Sequence, residues 1–187
     1  APLFPPAMKS ATPVRQEIAL RTVFNVLGPL ANPARAKRQL IGVYAEELTE
    51  ILADVLHMLK SERAFVVHGA DGLDELSTTG INRVSELCDG QVITYKLDPA
   101  EYGPLKASLK DLAGGTVQEN AGITREILSG EVGPKRDIVL LNAALILVAG
   151  EKAADIQEGL TIASESIDSG AALKKIDDLA QMSRQFA

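Results

Sequence analysis

The sequence predicts an α/β fold, and three patterns carry that expectation. Two short apolar strands, 39–44 and 64–67, flank a segment of helical periodicity, the signature of a β-α-β unit. Further on, Asp89-Gly90 has the composition of a tight hairpin turn. From residue 116 onward the chain reads as a succession of helices, enough to flank a central sheet.

Bulk properties narrow the class. At 187 residues the chain is long enough to bury a core without staples. A net charge of −6 argues against a general nucleic-acid or acidic-membrane binder, which needs a basic face. The single cysteine, Cys88, cannot form an internal disulfide, so a reducing, cytoplasmic setting is expected. The longest apolar run, 138–149, is interrupted by Asn142 and bracketed by Asp137 and Glu151. It is too short to span a bilayer and reads as a buried helix. The opening, Ala1-Pro2-Leu3-Phe4-Pro5-Pro6, lacks the basic start and apolar stretch of a signal peptide. A chain that opens without Met in a Pro-rich piece is expected to be cut from something longer.

Taken in order, Pro5 and Pro6 hold the start extended. Thr12 and Pro13 form a good N-cap and N1 pair, so a helix is expected within 7–20, with Val14 and Ile18 as an apolar i,i+4 pair. Arg15 then falls in the first turn, where a cation opposes the helix dipole. Beside free backbone N–H groups it suits a carboxylate or phosphate. The plainer alternative is a surface Arg paired with Glu17. Residues 22–33 are apolar with turn chemistry at Gly28-Pro29 and Asn32-Pro33, a buried, shaped loop able to wall a pocket. The basic run Arg35, Lys37 and Arg38 reads as a solvated face.

Within the β-α-β unit, Leu48, Ile51, Leu52, Val55, Leu56 and Leu59 repeat at helical spacing, placing a helix over 46–60. His57 falls off that stripe and is expected in solvent. In the hairpin, Ile93, Tyr95 and Leu97 alternate with Thr94 and Lys96 as in a half-buried strand. The other arm, 83–88, alternates poorly, and Cys88 reads as structural. Thr116 and Glu119 form a capping box for a helix ending at Gly130, and Gly114-Gly115 reads as its entry rather than a phosphate cradle. Asp137 is expected to cap the apolar helix. Another helix, about 154–168, ends at Gly170, and the last turns Leu173, Ile176, Leu179 and Phe186 inward.

The chemistry gathers in 63–75, Arg63-Ala64-Phe65-Val66-Val67-His68-Gly69-Ala70-Asp71-Gly72-Leu73-Asp74-Glu75. Gly69 and Gly72 permit positive φ or close backbone approach. Asp71, Asp74 and Glu75 place three negative charges at the carboxyl end of a strand, where open α/β sheets bind ligands. Carboxylate oxygens there suit Mg²⁺, a hard cation that usually accompanies a phosphorylated substrate. The bland alternative is a polar turn with solvated acids.

These motifs occur in an order that resembles the anthranilate phosphoribosyltransferase family. The matching stretches are Ala7-Met8-Lys9, Pro13-Val14-Arg15, 21–33, Leu40-Ile41-Gly42-Val43-Tyr44, 66–75, Gly114-Gly115 before Glu119-Asn120, Leu140-Leu141-Asn142-Ala143-Ala144 and Ile167-Asp168-Ser169-Gly170. The resemblance implies a nucleoside phosphorylase/phosphoribosyltransferase-like large α/β domain over 34–187. Residues 1–33 would be a remnant of the helical region and substrate-site loop. It implies transfer of the phosphoribosyl group from phosphoribosyl pyrophosphate (PRPP) to the amine of anthranilate, in tryptophan biosynthesis. That reaction leaves a cationic sugar and a pyrophosphate with several negative charges, which Mg²⁺ neutralises. The family's acidic pair, a Mg²⁺ ligand, falls on Asp74 and Glu75. Adjacent side chains in extended backbone diverge, so two ions, or one held through water, both fit. The family arginine that holds the anthranilate carboxylate falls on Arg15.

No general base is obvious, so no catalytic residue is assigned and rate would come from positioning and electrostatics. The full-length family member is expected to be a homodimer that binds neither nucleic acid nor membrane. Two departures stand out. The family's Gly-Thr-Gly-Gly-Asp and Lys-His-Gly-Asn donor-site segments do not occur here, and Pro5 stands where the family usually has His. Little or no turnover is therefore expected of the isolated chain. A non-catalytic fragment or scaffold of the same fold is one alternative; a pyrimidine nucleoside phosphorylase-like enzyme is another. The Gly-Leu-Asp-Glu loop and the setting of Arg15 favour the transferase.

Overall fold

The computed structural model describes residues 24–32, 34–103 and 106–185. Arg15, Pro5, the Thr12-Pro13 helix start and Phe186 lie outside the described residues. The sheet has four strands in sequence order: β1 (Arg38–Gly42), β2 (Arg63–His68), β3 (Asn82–Cys88) and β4 (Gln91–Leu97). β1 and β2 are parallel, with Leu40 opposite Phe65 and Ile41 opposite Val66, and helix α2 (Leu48–Met58) joins them. This is the expected β-α-β unit. β2 to β4 run antiparallel. The hairpin turn sits where its composition placed it: Asp89 and Gly90 take φ of 50° and 75°, the paired positive values of a type I′ turn.

The sheet separates two cores because alternate side chains of a strand point to opposite faces. On one face Phe65, Val67, Val84 and Leu97 pack against Leu141, Leu145 and Val148 of helix α5 (Pro134–Ala149). On the other, Ile41, Ala64, Val66 and Leu87 pack against Leu52, Ala53 and Leu56 of α2. β2 thus buries both faces, and Phe65 and its three apolar neighbours are shut off from solvent. Full burial of a side chain of this size contributes about 1.5–3 kcal/mol.

Among the described residues the remaining α-helices are α1 (Phe24–Leu30), the single turn α3 (Leu109–Leu112), α4 (Val117–Leu128), α6 (Ile156–Asp168) and α7 (Ala171–Arg184). α6 lies tight on α5, since a Cβ at Gly159 would come within 2.8 Å of the Ala144 carbonyl oxygen. Buried Arg136 ties the α4–α5 turn to α6, through the Gly130 carbonyl at 3.1 Å, Ser164 Oγ at 2.9 Å and Asp168 at 2.8 Å. The capping box at α4 is present, with Thr116 Oγ1 accepting from the Glu119 N–H. The Gly115 N–H donates to Asn120 Oδ1 at 2.8 Å, a bond within the helix entry itself. His57 is exposed as expected.

Several local expectations need correction. Asp137 does not cap α5: the helix starts at Pro134, whose missing N–H costs nothing at a first position, and Asp137 lies inside the first turn. Residues 24–30 are helical rather than a loop, and Gly28 and Pro29 are exposed rather than buried. Ile51 and Leu59, placed on the apolar stripe of α2, are each 54% exposed, because the sheet covers only the arc of Leu52, Ala53 and Leu56. Ile93 is 59% exposed because β4 is an edge strand whose contact with the α5 core reaches Tyr95 and Leu97 but not Ile93. Leu179 is 61% exposed, while Leu173 and Ile176 are half-buried, so α7 turns only a narrow strip inward.

Candidate active site

β2 ends at His68, and the chain turns through Gly69 and a single 3₁₀ turn, Ala70–Gly72. Asp71 and Gly72 both take positive φ, 61° and 83°, which reverses the chain. Its ends are tied by the Gly69 N–H donating to the Leu73 carbonyl at 2.8 Å. The peptide of Asp74 and Glu75 then passes directly over the last residue of β1. A Cβ at Gly42 would run into the Asp74 carbonyl, with Glu75 N only 3.1 Å away. At Gly69 a Cβ would meet the Glu75 carbonyl oxygen, with Leu73 Cβ at 3.1 Å. Two glycines, one on each parallel strand end, thus form the bed on which the acidic peptide lies. Beneath it the strand ends are stitched together: Val43 N–H donates to Val67 O at 2.9 Å, and His68 Nδ1 lies 2.9 Å from the Val43 carbonyl. A carbonyl only accepts, so that contact makes Nδ1 the protonated nitrogen of the ring.

Two asparagines fix the chain just past the acids. Asn142 Oδ1 accepts from the Leu76 N–H at 2.9 Å, and its Nδ2 donates to the Leu76 carbonyl at 2.8 Å. Asn82 treats Ser77 in the same way, at 2.7 and 3.0 Å. Both are residues that sequence reasoning gave no role. The only signals were that Asn142 is the one polar side chain in the run 138–149, and that Gly42 ends an apolar strand.

Asp74 and Glu75 are exposed, and among the described residues neither is paired with a Lys or Arg. Partial desolvation, and then the charge of Asp74, push the Glu75 carboxyl above the usual Glu range. Asp71 parts from them and lines a cleft of about 320 Å³ with His68, Gly69, Glu46, Arg83 and Lys96. Asp74 and Glu75 do not line that cleft. Arg83 is engaged with Glu46 at 3.3 Å and Glu50 at 3.6 Å. A larger cleft, about 570 Å³, opens at the opposite ends of the strands, beside Lys37, Gln39 and Ser61.

The donor set can be tested for Mg²⁺. Among the described residues no group of three or more His, Cys, Asp or Glu converges as a closed metal cage. Two uncompensated carboxylates on a pinned backbone are what Mg²⁺ usually takes from a protein, with water and substrate phosphates as its other ligands. The oxygen-only chemistry of the pair fits such an ion.

The sequence profile of the glycosyl transferase family, a/b domain, matches residues 1–173. The chain belongs to that family. An anthranilate phosphoribosyltransferase of Acetivibrio thermocellus is 50% identical over 186 residues, covering 100% of this chain and 54% of the relative. The crystal structure of anthranilate phosphoribosyltransferase from Thermus thermophilus superposes with a TM-score of 0.85 at 42% identity, covering 92% of this chain and 51% of that one. The Saccharomyces cerevisiae anthranilate phosphoribosyltransferase in complex with PRPP and Mg gives 0.83 at 33% identity, covering 95% and 51%. This glycosyl transferase chain therefore spans about half the length of the relatives it matches, and its fold is the expected nucleoside phosphorylase/phosphoribosyltransferase-like one. Among its described residues no helix is long and apolar enough to cross a membrane.

Proposed function

We propose that this chain supplies the metal-holding part of an anthranilate phosphoribosyltransferase, which moves the phosphoribosyl group of PRPP to the amine of anthranilate in the cytoplasm. The observation that carries the reading is the Asp74-Glu75 peptide, laid over Gly42 and Gly69 with both carboxylates unpaired. Two adjacent acids without a cation are costly to hold together, and a divalent ion between protein and pyrophosphate removes that cost. Asp74 and Glu75 would hold Mg²⁺, which when bound would neutralise charge on the departing pyrophosphate. Arg15 would orient anthranilate by its carboxylate. The Gly42 and Gly69 bed keeps the acids at the carboxyl end of the parallel strands, where a fixed geometry replaces reorganisation during reaction. Residues 1–33 are assigned to the helical region and substrate-site loop, and 34–187 to the α/β domain. The Gly-Thr-Gly-Gly-Asp and Lys-His-Gly-Asn motifs do not occur in the chain, so the activity is assigned to the protein that also carries them, acting as a homodimer.

The test is a turnover assay with PRPP, Mg²⁺ and anthranilate. The isolated chain is expected to show little or none, and robust product formation would overturn the role given to the donor-site motifs. In the full-length protein, Asp74→Asn with Glu75→Gln should cut Mg²⁺-dependent turnover by about 10²-fold or more, because a metal ion on a phosphorylated group contributes several kcal/mol. Unchanged kinetics across a Mg²⁺ titration would remove the metal role.

A further inference from the structure

We propose that Asn142 and Asn82 are positioning residues for the acidic pair, holding Asp74 and Glu75 in place through the backbone of the two residues that follow them. The inference rests on the metal-binding reading above. A loop that presents two like charges side by side needs a restraint, since repulsion favours spreading them. Among the described residues the two carboxylates make no hydrogen bond of their own that would tether them. The restraint lies in the main chain. Glycine contacts at positions 42 and 69 set how closely the peptide approaches the strand ends. They do not stop it from lifting away.

The asparagines do that. Leu76 is fully buried, and both its N–H and its carbonyl are satisfied by one carboxamide, that of Asn142, at 2.9 and 2.8 Å. The same Nδ2 also donates to the Ile138 carbonyl, one helical turn back, at 2.9 Å, which fixes the side chain against α5. Ser77 is held likewise by Asn82, whose Nδ2 reaches the Gly80 carbonyl as well, at 3.1 Å. Two consecutive residues are therefore bonded as if in a strand ladder, with amide side chains from α5 and the first residue of β3 standing in for a neighbouring strand.

The choice of side chain follows from this task. A carboxamide offers donor and acceptor together, whereas Asp only accepts and Lys or Arg only donates. It is also uncharged.

The test uses the full-length protein with PRPP present, and Mn²⁺, an oxygen-preferring ion read by electron paramagnetic resonance, as the probe. Binding is titrated in the parent, in Asp74→Asn/Glu75→Gln, in Asn142→Ala and in Asn142→Ser. Serine can keep a bond to the i−4 carbonyl of Ile138 but is too short to reach Leu76, so it separates the helix's own bond from the loop clamp. Both Asn142 variants are expected to weaken Mn²⁺ binding roughly 10-fold, the usual effect of losing a residue that orients metal ligands. Faster amide exchange at Leu76 and Ser77 should accompany that loss. A folded Asn142→Ser chain with the parent's Mn²⁺ affinity overturns the inference. So does a parent chain whose Leu76 amide exchanges as fast as an open loop, a result that needs no variant. If the parent binds Mn²⁺ no better than Asp74→Asn/Glu75→Gln, the metal reading itself has failed and the inference falls with it.

Discussion

Replacing Gly42 by Ala probes the acidic loop with a single methyl group. The backbone of Gly42 lies so close under the Asp74-Glu75 peptide that the added Cβ would overlap the Asp74 carbonyl. That carbonyl is main chain, so no rotamer change relieves the clash. The peptide must retreat by roughly 2 Å to restore ordinary contact, or β1 must shift away from β2. Overpacking of this kind costs about 1–3 kcal/mol, and a backbone-to-backbone clash belongs at the top of that range. For a chain of this size about 3 kcal/mol lowers the melting midpoint by roughly 6–12 °C. If Asp74 and Glu75 hold Mg²⁺ as proposed, a displacement of them above roughly 1 Å would cost about 10²-fold in turnover of the full-length protein. The assay is thermal melting by circular dichroism together with amide exchange over residues 73–77. Gly122→Ala is the control: it sits inside α4 with nothing within 4 Å of the new methyl. It should stabilise by about 0.5–1 kcal/mol. A Gly42→Ala chain that melts with its parent and keeps the same exchange pattern would refute the close-approach argument.

Two further outcomes follow from local chemistry. Thr116→Ala removes the cap of α4 and should lower stability by about 1 kcal/mol in urea titration at neutral pH. The Glu119 carboxyl is held below its ordinary value by the Thr116 backbone N–H and then its hydroxyl. A carboxyl depressed by folding stabilises above its unfolded pKa and loses that contribution as pH falls through the folded one, so the Thr116→Ala deficit should shrink below about pH 4.3. A deficit that stays constant into acid would refute the reciprocal box. In the full-length protein Arg15→Ala should raise the KM for anthranilate about 10- to 10²-fold with donor binding intact, the worth of a charge-assisted hydrogen bond. A defect confined to the donor would move Arg15 to the phosphate side.

What could be read from the sequence divides along physical lines. The β-α-β unit, the Asp89-Gly90 turn and the Thr116–Glu119 box rest on local periodicity and backbone preference, which neighbouring residues encode. Ile93 and Leu179 show where that reading stops. Alternation and helical spacing mark a face as apolar, but only the neighbouring elements decide whether anything covers it, and β4 lies at an edge while α7 meets little. Asp137 misleads because an acid beside an apolar run imitates a cap; Pro134, three residues earlier, is the better start signal. In the loop, the acids at 74 and 75 were legible from charge and position after a strand. Gly42, Asn82 and Asn142 were not, because the contacts that give them meaning join residues 32, 5 and 66 positions apart in the chain.

The strand order also leaves the sheet with two unlike rims. At one, β4 shows solvent Gln91 and Lys96, and a lysine on an outer strand discourages unwanted pairing. At the other, among the described residues, β1 pairs only with β2, carries no charge after Arg38 and buries Ile41. An outer strand without charge lacks the usual protection against pairing with another chain. On the described residues, any self-association of this chain is expected along β1 rather than β4, and Gln39→Lys is the change that would oppose it.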